Sequence, residues 1–227
     1  DAHPKIAAVG SAFTIYDNAQ KRDTAIKRRA ERPDEVRRLL GIASQLCHPS
    51  SMFRRSAALA IGGYRPRVGI AEDFDFWLRM AERYPLANLS AVLHRLRWHD
   101  SRVSNARLGQ QIGFSKLVVM LAAERQLRGE DSLDALSDDQ IHALFDGVVP
   151  EPPLGSPQQR ARLRAEWERI NYWHDPRTPE QGLLKRLRRW PADAAAWGIL
   201  AALVKCRVRW LLRPVQFTSP ESGTLRS

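Results

Sequence analysis

The chain has 227 residues, enough for one large or two small domains that each bury a core. Its 36 Lys and Arg outnumber its 25 Asp and Glu. The resulting charge of +11 favours an anionic partner without choosing between nucleic acid, anionic lipid and a phosphorylated ligand. Two cysteines argue against a disulfide framework, and the longest apolar stretch, 194–204, is far shorter than the roughly 20 residues of a membrane span.

These properties predict a soluble or peripheral protein of a reducing compartment. We therefore expect a cytoplasmic location, with the inner face of the membrane as an alternative. Nucleic acid is not expected as a partner, because the basic residues lack the interleaved aromatic residues and the groove-docking motif of such binders.

The first hundred residues alternate between strand and helix patterns. Residues 6–16 are rich in β-branched and aromatic residues and predict a strand, which a turn at Asp17-Asn18 ends. Pro33 suits a first helical turn, and apolar residues continue at helical spacing up to Cys47. Residues 51–53 predict a short strand, and residues 57–61 a helical turn capped by Ser56.

Two further elements follow the glycines at 62 and 63. The segment EDFDFWLRMAERY repeats apolar residues at helical spacing and predicts an amphipathic helix from Glu72. Residues 91–99 alternate as a strand does. Mixed β and α elements in this order predict an α/β domain over residues 1–105.

The second half of the chain has a different composition. Residues 106–149 form helices and carry many acids, and residues 150–157 (PEPPLGSP) predict a linker. Residues 158–227 predict a basic helical C-terminal extension, with eight Lys or Arg against one Asp over 182–213. An apolar stripe with Trp190 at its edge suits an anionic membrane surface, and a charged face packed on the first domain is the alternative.

Glu72 and Asp73 are the first candidate site residues. The positive end of the helix dipole favours their ionised form, and successive helical residues point in different directions. One carboxylate could act as a base toward a sugar hydroxyl while the other holds backbone N–H groups. The simpler alternative is that both acids only stabilise the first helical turn.

The strand 91–99 presents a cationic face. Period two places Arg95, Arg97 and His99 on one side. Guanidinium groups match phosphate oxygens, so the two arginines could hold a diphosphate, and a neutral imidazole of His99 could complete the shell of a divalent metal. The alternative is an edge strand that exposes its arginines to solvent.

Gly62-Gly63-Tyr64 forms a glycine-rich turn before the two carboxylates. Glycine allows positive φ and a close approach of the backbone to a ligand, although a helix C-cap explains the same residues. The nearby segment His48-Pro49-Ser50-Ser51 lacks the Gly-x-Ser-x-Gly elbow, which argues against a hydrolase triad.

Taken together, residues 1–105 resemble the C-terminal half of the catalytic domain of family 2 glycosyltransferases, which have the GT-A fold. The matching segments are HPKIAAVGSAFTIYDN, HPSSMFRRSAALAIGGYRP, AEDFDFWLRMAERY and LHRLRWHDSRVS. The resemblance implies an inverting transfer from a nucleotide-sugar to a saccharide or lipid-linked cell-envelope acceptor, assisted by Mg²⁺ or Mn²⁺.

The resemblance also implies roles for individual residues. Asp73 would be the general base and Glu72 its partner near the acceptor. His99 would contact the metal. The expected substrate-binding residues are Gly62, Gly63, Trp77, Arg95 and Arg97.

The family's N-terminal half, with its nucleotide-binding units and Asp-x-Asp metal motif, does not occur in the sequence. We therefore expect an incomplete GT-A-type mixed sheet in which the strand at 6–16 is an exposed edge, followed by a mainly helical C-terminal extension. Weak nucleotide-sugar binding is expected for the same reason. The alternative function is a catalytically inactive, truncated binding module at the membrane.

Overall fold

The computed structural model describes residues 3–98 and 108–174. These ranges contain a four-stranded mixed sheet and several helices, so the α/β class is confirmed. The strands are β1 (Ala8–Asp17), β2 (Arg22–Lys27), β3 (Met52–Phe53) and β4 (Leu86–Trp98). His99 and the basic segment 182–213, on which several predictions rest, lie outside the described residues.

β1 is the central strand of this sheet. It pairs in parallel with β4, from Ala8 opposite Leu86 to Asp17 opposite Trp98. On its other side it pairs antiparallel with β3 at its start and with β2 at its end. The expectation that this strand forms an exposed edge is therefore wrong, because neighbours occupy both of its sides.

The turn predicted at Asp17 joins β1 to a strand that the sequence did not reveal. Asp17 Oδ1 accepts hydrogen bonds from the backbone N–H groups of Ala19 and Gln20, at 2.8 and 3.0 Å. An aspartate that accepts from backbone two residues ahead reverses the chain. β2 is largely exposed, so it lacks the alternating apolar pattern that marks a half-buried strand.

Three helices lie within the first hundred residues: α1 (Pro33–Leu40), α2 (Arg55–Ala60) and α3 (Glu72–Arg83). The prediction that α1 runs to Cys47 is wrong, since Gly41 ends it and only a short 3-10 turn follows at His48–Ser50. Ser56 is not a cap either, because α2 already begins at Arg55. The start of α3 at Glu72 is confirmed.

The second half contributes α4 (Leu108–Arg128), α5 (Asp138–Ala143) and α6 (Pro157–His174). α3, α4 and α6 share one hydrophobic core. Trp167 of α6 is fully buried, and its indole N–H donates to the Met120 carbonyl of α4 at 3.1 Å. Residues on both sides of the segment 150–157 thus pack into the same core.

α3 lies at the centre of this core. The four apolar positions that predicted its buried face, Phe74, Trp77, Leu78 and Ala81, are all buried. Every other residue between Phe74 and Ala81 is buried as well, so the prediction of an amphipathic helix is wrong over this span: α3 is covered on all sides. Within the described ranges, no helix combines the length and apolarity needed to cross a membrane.

Candidate functional site

The start of α3 is shaped by the turn that precedes it. A 3-10 segment, Pro66–Ala71, leads into the helix, and Gly69 within it has a φ of +53°. A Cβ at this glycine would meet the ring of Phe114 in α4 at 2.5 Å. The lack of a side chain at position 69 therefore allows α4 to lie directly against the turn that delivers Glu72 and Asp73.

Asp73 is the second residue of α3 and is partly buried. Its Oδ1 accepts the backbone N–H of Phe74 at 2.7 Å. Burial raises the pKa of the Asp73 carboxyl above its ordinary value; the Phe74 N–H and a charged His48 lower it, and Glu72 raises it. The prediction that the helix start favours the ionised form is thus outweighed by the loss of hydration.

The Asp73 side chain lines a cavity of about 360 Å³ between the turn after α1, the start of α3 and the face of α4. Among the residues that the structure describes, no cation pairs with its carboxylate. A partly desolvated carboxylate without an ion-pair partner is a suitable general base. The other lining residues are Ile42, Ala43, Ser44, Ile70, Ala71, Phe74, Gln111, Ile112 and Ser115.

Glu72, next to Asp73, is exposed. Its charge and that of Asp73 both raise the pKa of Tyr64, after the larger effect of burial. The structure therefore brings both predicted carboxylates near the Gly62-Gly63-Tyr64 turn, as the order of the motifs suggested.

His48 completes the surroundings of Asp73. Its ring lies edge-on to Tyr64, with Nε2 at 3.5 Å from the phenol oxygen, and contacts the indole of Trp77 at a centroid distance of 5.8 Å. The other ring nitrogen, Nδ1, is buried without a hydrogen-bond partner in the described part of the chain. From the sequence, His48 was considered only as part of a hydrolase triad, and its place beside Asp73 was not predicted.

Gly62 and Gly63 form the turn after α2, with φ values of +79° and +67°. Both need the left-handed conformation that glycine adopts most readily. The guanidinium of Arg79 holds this turn by donating to the carbonyls of Ile61 at 2.5 Å and Gly63 at 2.6 Å. The glycines thus have a structural partner in α3.

Arg79 belongs to a buried network of ion pairs centred on Asp75. The Asp75 carboxylate is fully buried and accepts from Arg79 at 2.8 Å and from Arg65 at 2.5 and 3.0 Å. Arg65 also binds Asp131, which in turn binds Arg125 of α4. The network ties the glycine turn to the second half of the chain. The four-residue spacing of Asp75 and Arg79 was a signal that could have revealed it.

The remaining predicted substrate residues lie elsewhere. Arg95 is exposed and forms an ion pair with Asp23 of β2 at 2.8 Å, with its guanidinium carbon 4.2 Å from the centre of the Tyr16 ring. Arg97 is exposed in β4, opposite Tyr16 in the register. Neither arginine lines the cavity of Asp73. Trp77 is fully buried, and its indole N–H has no partner among the described residues.

The predicted metal site depends on a residue that the structure does not describe, His99. Within residues 3–98 and 108–174, no group of three His, Cys, Asp or Glu side chains is arranged to hold a metal ion. The described residues therefore do not fit a metal centre by themselves, and metal binding stays a prediction.

Comparison with known proteins supports a relationship to glycosyltransferases. Over 108 aligned residues, 26% are identical to the amylovoran biosynthesis glycosyltransferase AmsE of Erwinia amylovora. The alignment covers 47% of this chain and 40% of that protein, so the chain spans less than half the length of this relative. No family model matches the chain, and no solved structure matches it.

Proposed function

We propose that the chain carries the acceptor side of an inverting glycosyltransferase, with Asp73 as the general base. The observation that carries the proposal is the setting of Asp73: a partly buried carboxylate with a raised pKa and no described ion-pair partner, on the wall of a cavity. The similarity to a glycosyltransferase supports the same reaction class. The donor is a nucleotide-sugar and the acceptor a saccharide or a lipid-linked saccharide of the cell envelope.

The proposed reaction is a single displacement at the anomeric carbon of the donor sugar. Asp73 takes the proton from an acceptor hydroxyl, and the oxygen of that hydroxyl forms the new glycosidic bond. The bond from the anomeric carbon to the nucleotide diphosphate breaks, and the diphosphate leaves with the bonding electron pair. Attack from the face opposite the leaving group inverts the anomeric configuration.

The environment of Asp73 suits this proton transfer. A base works best when its pKa approaches the working pH, and burial moves the pKa of Asp73 in that direction. The hydrogen bond from the Phe74 N–H fixes one carboxylate oxygen at 2.7 Å. Each carboxylate oxygen has two lone pairs, so the other oxygen remains available to an acceptor hydroxyl.

The proposal includes a divalent cation, Mg²⁺ or Mn²⁺, because the resemblance implies that His99 contacts one. When bound, such an ion would neutralise charge on the leaving diphosphate. The bond changes proposed for the reaction do not involve this ion, because the described residues do not form a metal centre.

The experiment that tests the proposal is the substitution Asp73→Asn in the full chain. Transfer from a panel of nucleotide-sugars (UDP-glucose, UDP-galactose, UDP-N-acetylglucosamine and GDP-mannose) to a mixture of simple glycosides is followed by release of the nucleotide diphosphate. Removal of a general base lowers the rate by about 10² to 10⁴-fold. We expect a loss of this size in a protein whose thermal unfolding temperature at neutral pH is not lowered.

A matched control is Asp34→Asn. Asp34 is also an acid at the second position of a helix, but it is exposed and, in the part of the chain that the structure describes, its ion-pair partner is the equally exposed Arg32. This variant should retain full transfer. Transfer that persists undiminished in Asp73→Asn would refute the assignment of the base.

A further inference from the structure

The cavity beside Asp73 has the size and lining of a sugar site. Its volume of about 360 Å³ lies in the range of small-molecule pockets, which starts at roughly 300 Å³. Polar groups at its wall come from Ser44, Gln111 and Ser115, in addition to Asp73. Apolar wall segments come from isoleucine side chains and Phe74. Hydroxyls need such polar partners, while the C–H faces of a sugar ring need apolar ones.

The charge of the lining selects against anionic ligands. No Lys or Arg is among the described residues that line the cavity, and its one charged side chain is a carboxylate. A phosphate or uronate bound there would meet a like charge, with no Lys or Arg among the described lining residues to neutralise it. An uncharged, hydroxyl-bearing ligand meets neither problem.

Two polar residues of this wall belong to α4, in the half of the chain to which the sequence assigned no function. Gln111 and Ser115 are four residues apart and therefore lie on the same face of the helix. Both are partly buried, and neither side chain makes a hydrogen bond to another described residue. Half-buried polar groups without intramolecular partners are available to a ligand.

The position of α4 relative to Asp73 is fixed by close packing. Phe114 lies over the bare backbone of Gly69, where a Cβ would come within 2.5 Å of the ring. One residue earlier, Gly113 allows the Phe145 ring an even closer approach. The contact between Phe114 and Gly69 holds the segment 111–115 against the turn that leads into α3, so the α4 side chains keep a constant relation to the carboxylate.

We propose that this cavity binds one uncharged sugar ring of the acceptor, and that Gln111 and Ser115 determine which sugar it accepts. The inference rests on the proposed function, because it identifies the ring whose hydroxyl Asp73 deprotonates. An amide and a hydroxyl each donate and accept hydrogen bonds, as sugar hydroxyls do. A sugar with one hydroxyl reversed would leave a buried polar group of the wall unpaired, which a site built to bond that hydroxyl rejects.

Binding of simple glycosides to the full chain tests the proposal. The probes are methyl β-D-glucopyranoside, methyl β-D-galactopyranoside, methyl α-D-mannopyranoside and, as the charged counterpart, methyl β-D-glucuronide. Saturation-transfer NMR detects binding, and titration gives dissociation constants. We expect at least one neutral glycoside to bind and the glucuronide to bind more weakly than methyl β-D-glucopyranoside.

The variants Gln111→Ala and Ser115→Ala identify the residues responsible. Loss of one hydrogen bond corresponds to about a threefold to tenfold weaker dissociation constant. We expect a loss in this range for the preferred glycoside and a reduced difference between the three neutral probes. Gln110→Ala is the matched control, since Gln110 is the adjacent, exposed glutamine of the same helix, and it should bind like the wild type.

Three outcomes would overturn the proposal: no neutral glycoside binds, the glucuronide binds best, or Gln111→Ala and Ser115→Ala bind like Gln110→Ala. Gln111→Glu guards against an effect of lost packing, because it keeps the side-chain size while removing the amide donor, and it should weaken binding as Gln111→Ala does. Asp73→Asn separates the two proposals. It should still bind the glycosides while losing transfer. The binding measurement therefore tests the sugar site even if Asp73 is not the base.

Discussion

Two carboxylates in the first turn of α3 face different regions of the molecule. Asp75 is fully buried and bonded to Arg65 and Arg79, at the centre of a network that reaches α4. Asp73 lies at a cavity wall without a described ion-pair partner. Two residues along a helix correspond to a rotation of roughly 200°, so one acid can face the interior while the other faces a cleft.

This difference separates an acid whose charge is neutralised from an acid without a described ion-pair partner. The charge of Asp75 is neutralised by neighbouring guanidinium groups, and its oxygens are fully used in hydrogen bonds. The charge of Asp73 is opposed by burial and supported by little more than one N–H group. Sequence position alone would treat both as helix-start acids. The comparison predicts that loss of Asp75 affects stability and loss of Asp73 affects chemistry.

The largest expected effect is that of Asp75→Asn. Arg65 keeps Asp131 as a counter-charge, but Arg79 loses its described ion-pair partner. Removing one partner of a buried ion pair costs about 3–5 kcal/mol. The Gly62-Gly63 turn would also lose part of its support, because Asp75 positions the guanidinium of Arg79 that holds it. Urea unfolding at neutral pH measures the change in the free energy of unfolding.

The exposed pair of Asp34 and Arg32 provides the control for this substitution. Asp34→Asn removes a surface carboxylate at a helix start, where a pair contributes roughly 0–1 kcal/mol. The double replacement Asp75→Leu with Arg79→Met should be less destabilising than Asp75→Asn, because it removes both members of the buried pair and leaves neither without its partner. An Asp75→Asn protein as stable as Asp34→Asn would show that Asp75 has no special structural role, and the distinction between Asp75 and Asp73 would be lost.

A smaller effect is expected for Gly69→Ala, at the junction between the network and the cavity. A non-glycine residue at the φ of +53° and ψ of −130° of Gly69 costs about 1–3 kcal/mol, and the Phe114 ring must also move to make room for a Cβ. The shift of α4 should weaken glycoside binding at the cavity as well. Urea unfolding and saturation-transfer NMR on the same preparation measure the two effects together.

Gly109→Ala is the matched control for Gly69→Ala. Gly109 is an exposed glycine near the start of α4, and a Cβ there meets open space. Alanine favours the helix over glycine by up to about 1 kcal/mol, so this variant should be unchanged or slightly more stable. Equal stability of the two variants would show that α4 is not held against the turn at position 69.

The sequence was a good guide where one face of an element is apolar. The apolar spacing of α3 predicted its start and its buried face, and the glycines at 62 and 63 marked the end of α2. The exposed strand β2 and the early end of α1 escaped prediction, because a solvent-facing hairpin strand has no alternating pattern and the apolar spacing beyond Leu40 continued by chance.

The site could be predicted only in part, for a physical reason. Glu72 and Asp73 could be proposed as candidates because they are adjacent at a helix start. Gln111 and Ser115 are distant in sequence from Asp73, and only tertiary packing brings α4 against it. The burial that raises the pKa of Asp73 also arises from that packing, whereas the helix start by itself predicts the opposite direction. Such long-range effects are not encoded in local patterns.

The smallest expected effect concerns the stability cost of Asp73 itself. Its pKa is higher in the folded protein than in the unfolded chain, where Asp titrates near about 3.9. Below that pH the carboxyl is protonated in both states and carries no cost. As the pH rises through the folded pKa, the charged carboxylate must remain partly desolvated, and the free energy of unfolding decreases. Asp73→Asn should therefore be more stable than the wild type at pH 7, and the difference should vanish toward pH 3. Urea unfolding of both proteins across this range measures it, with Asp34→Asn as the reference.

A wild type that is the more stable protein at pH 7 would mean that Asp73, like Asp75, has a stabilising partner, and the contrast between the two carboxylates would be lost.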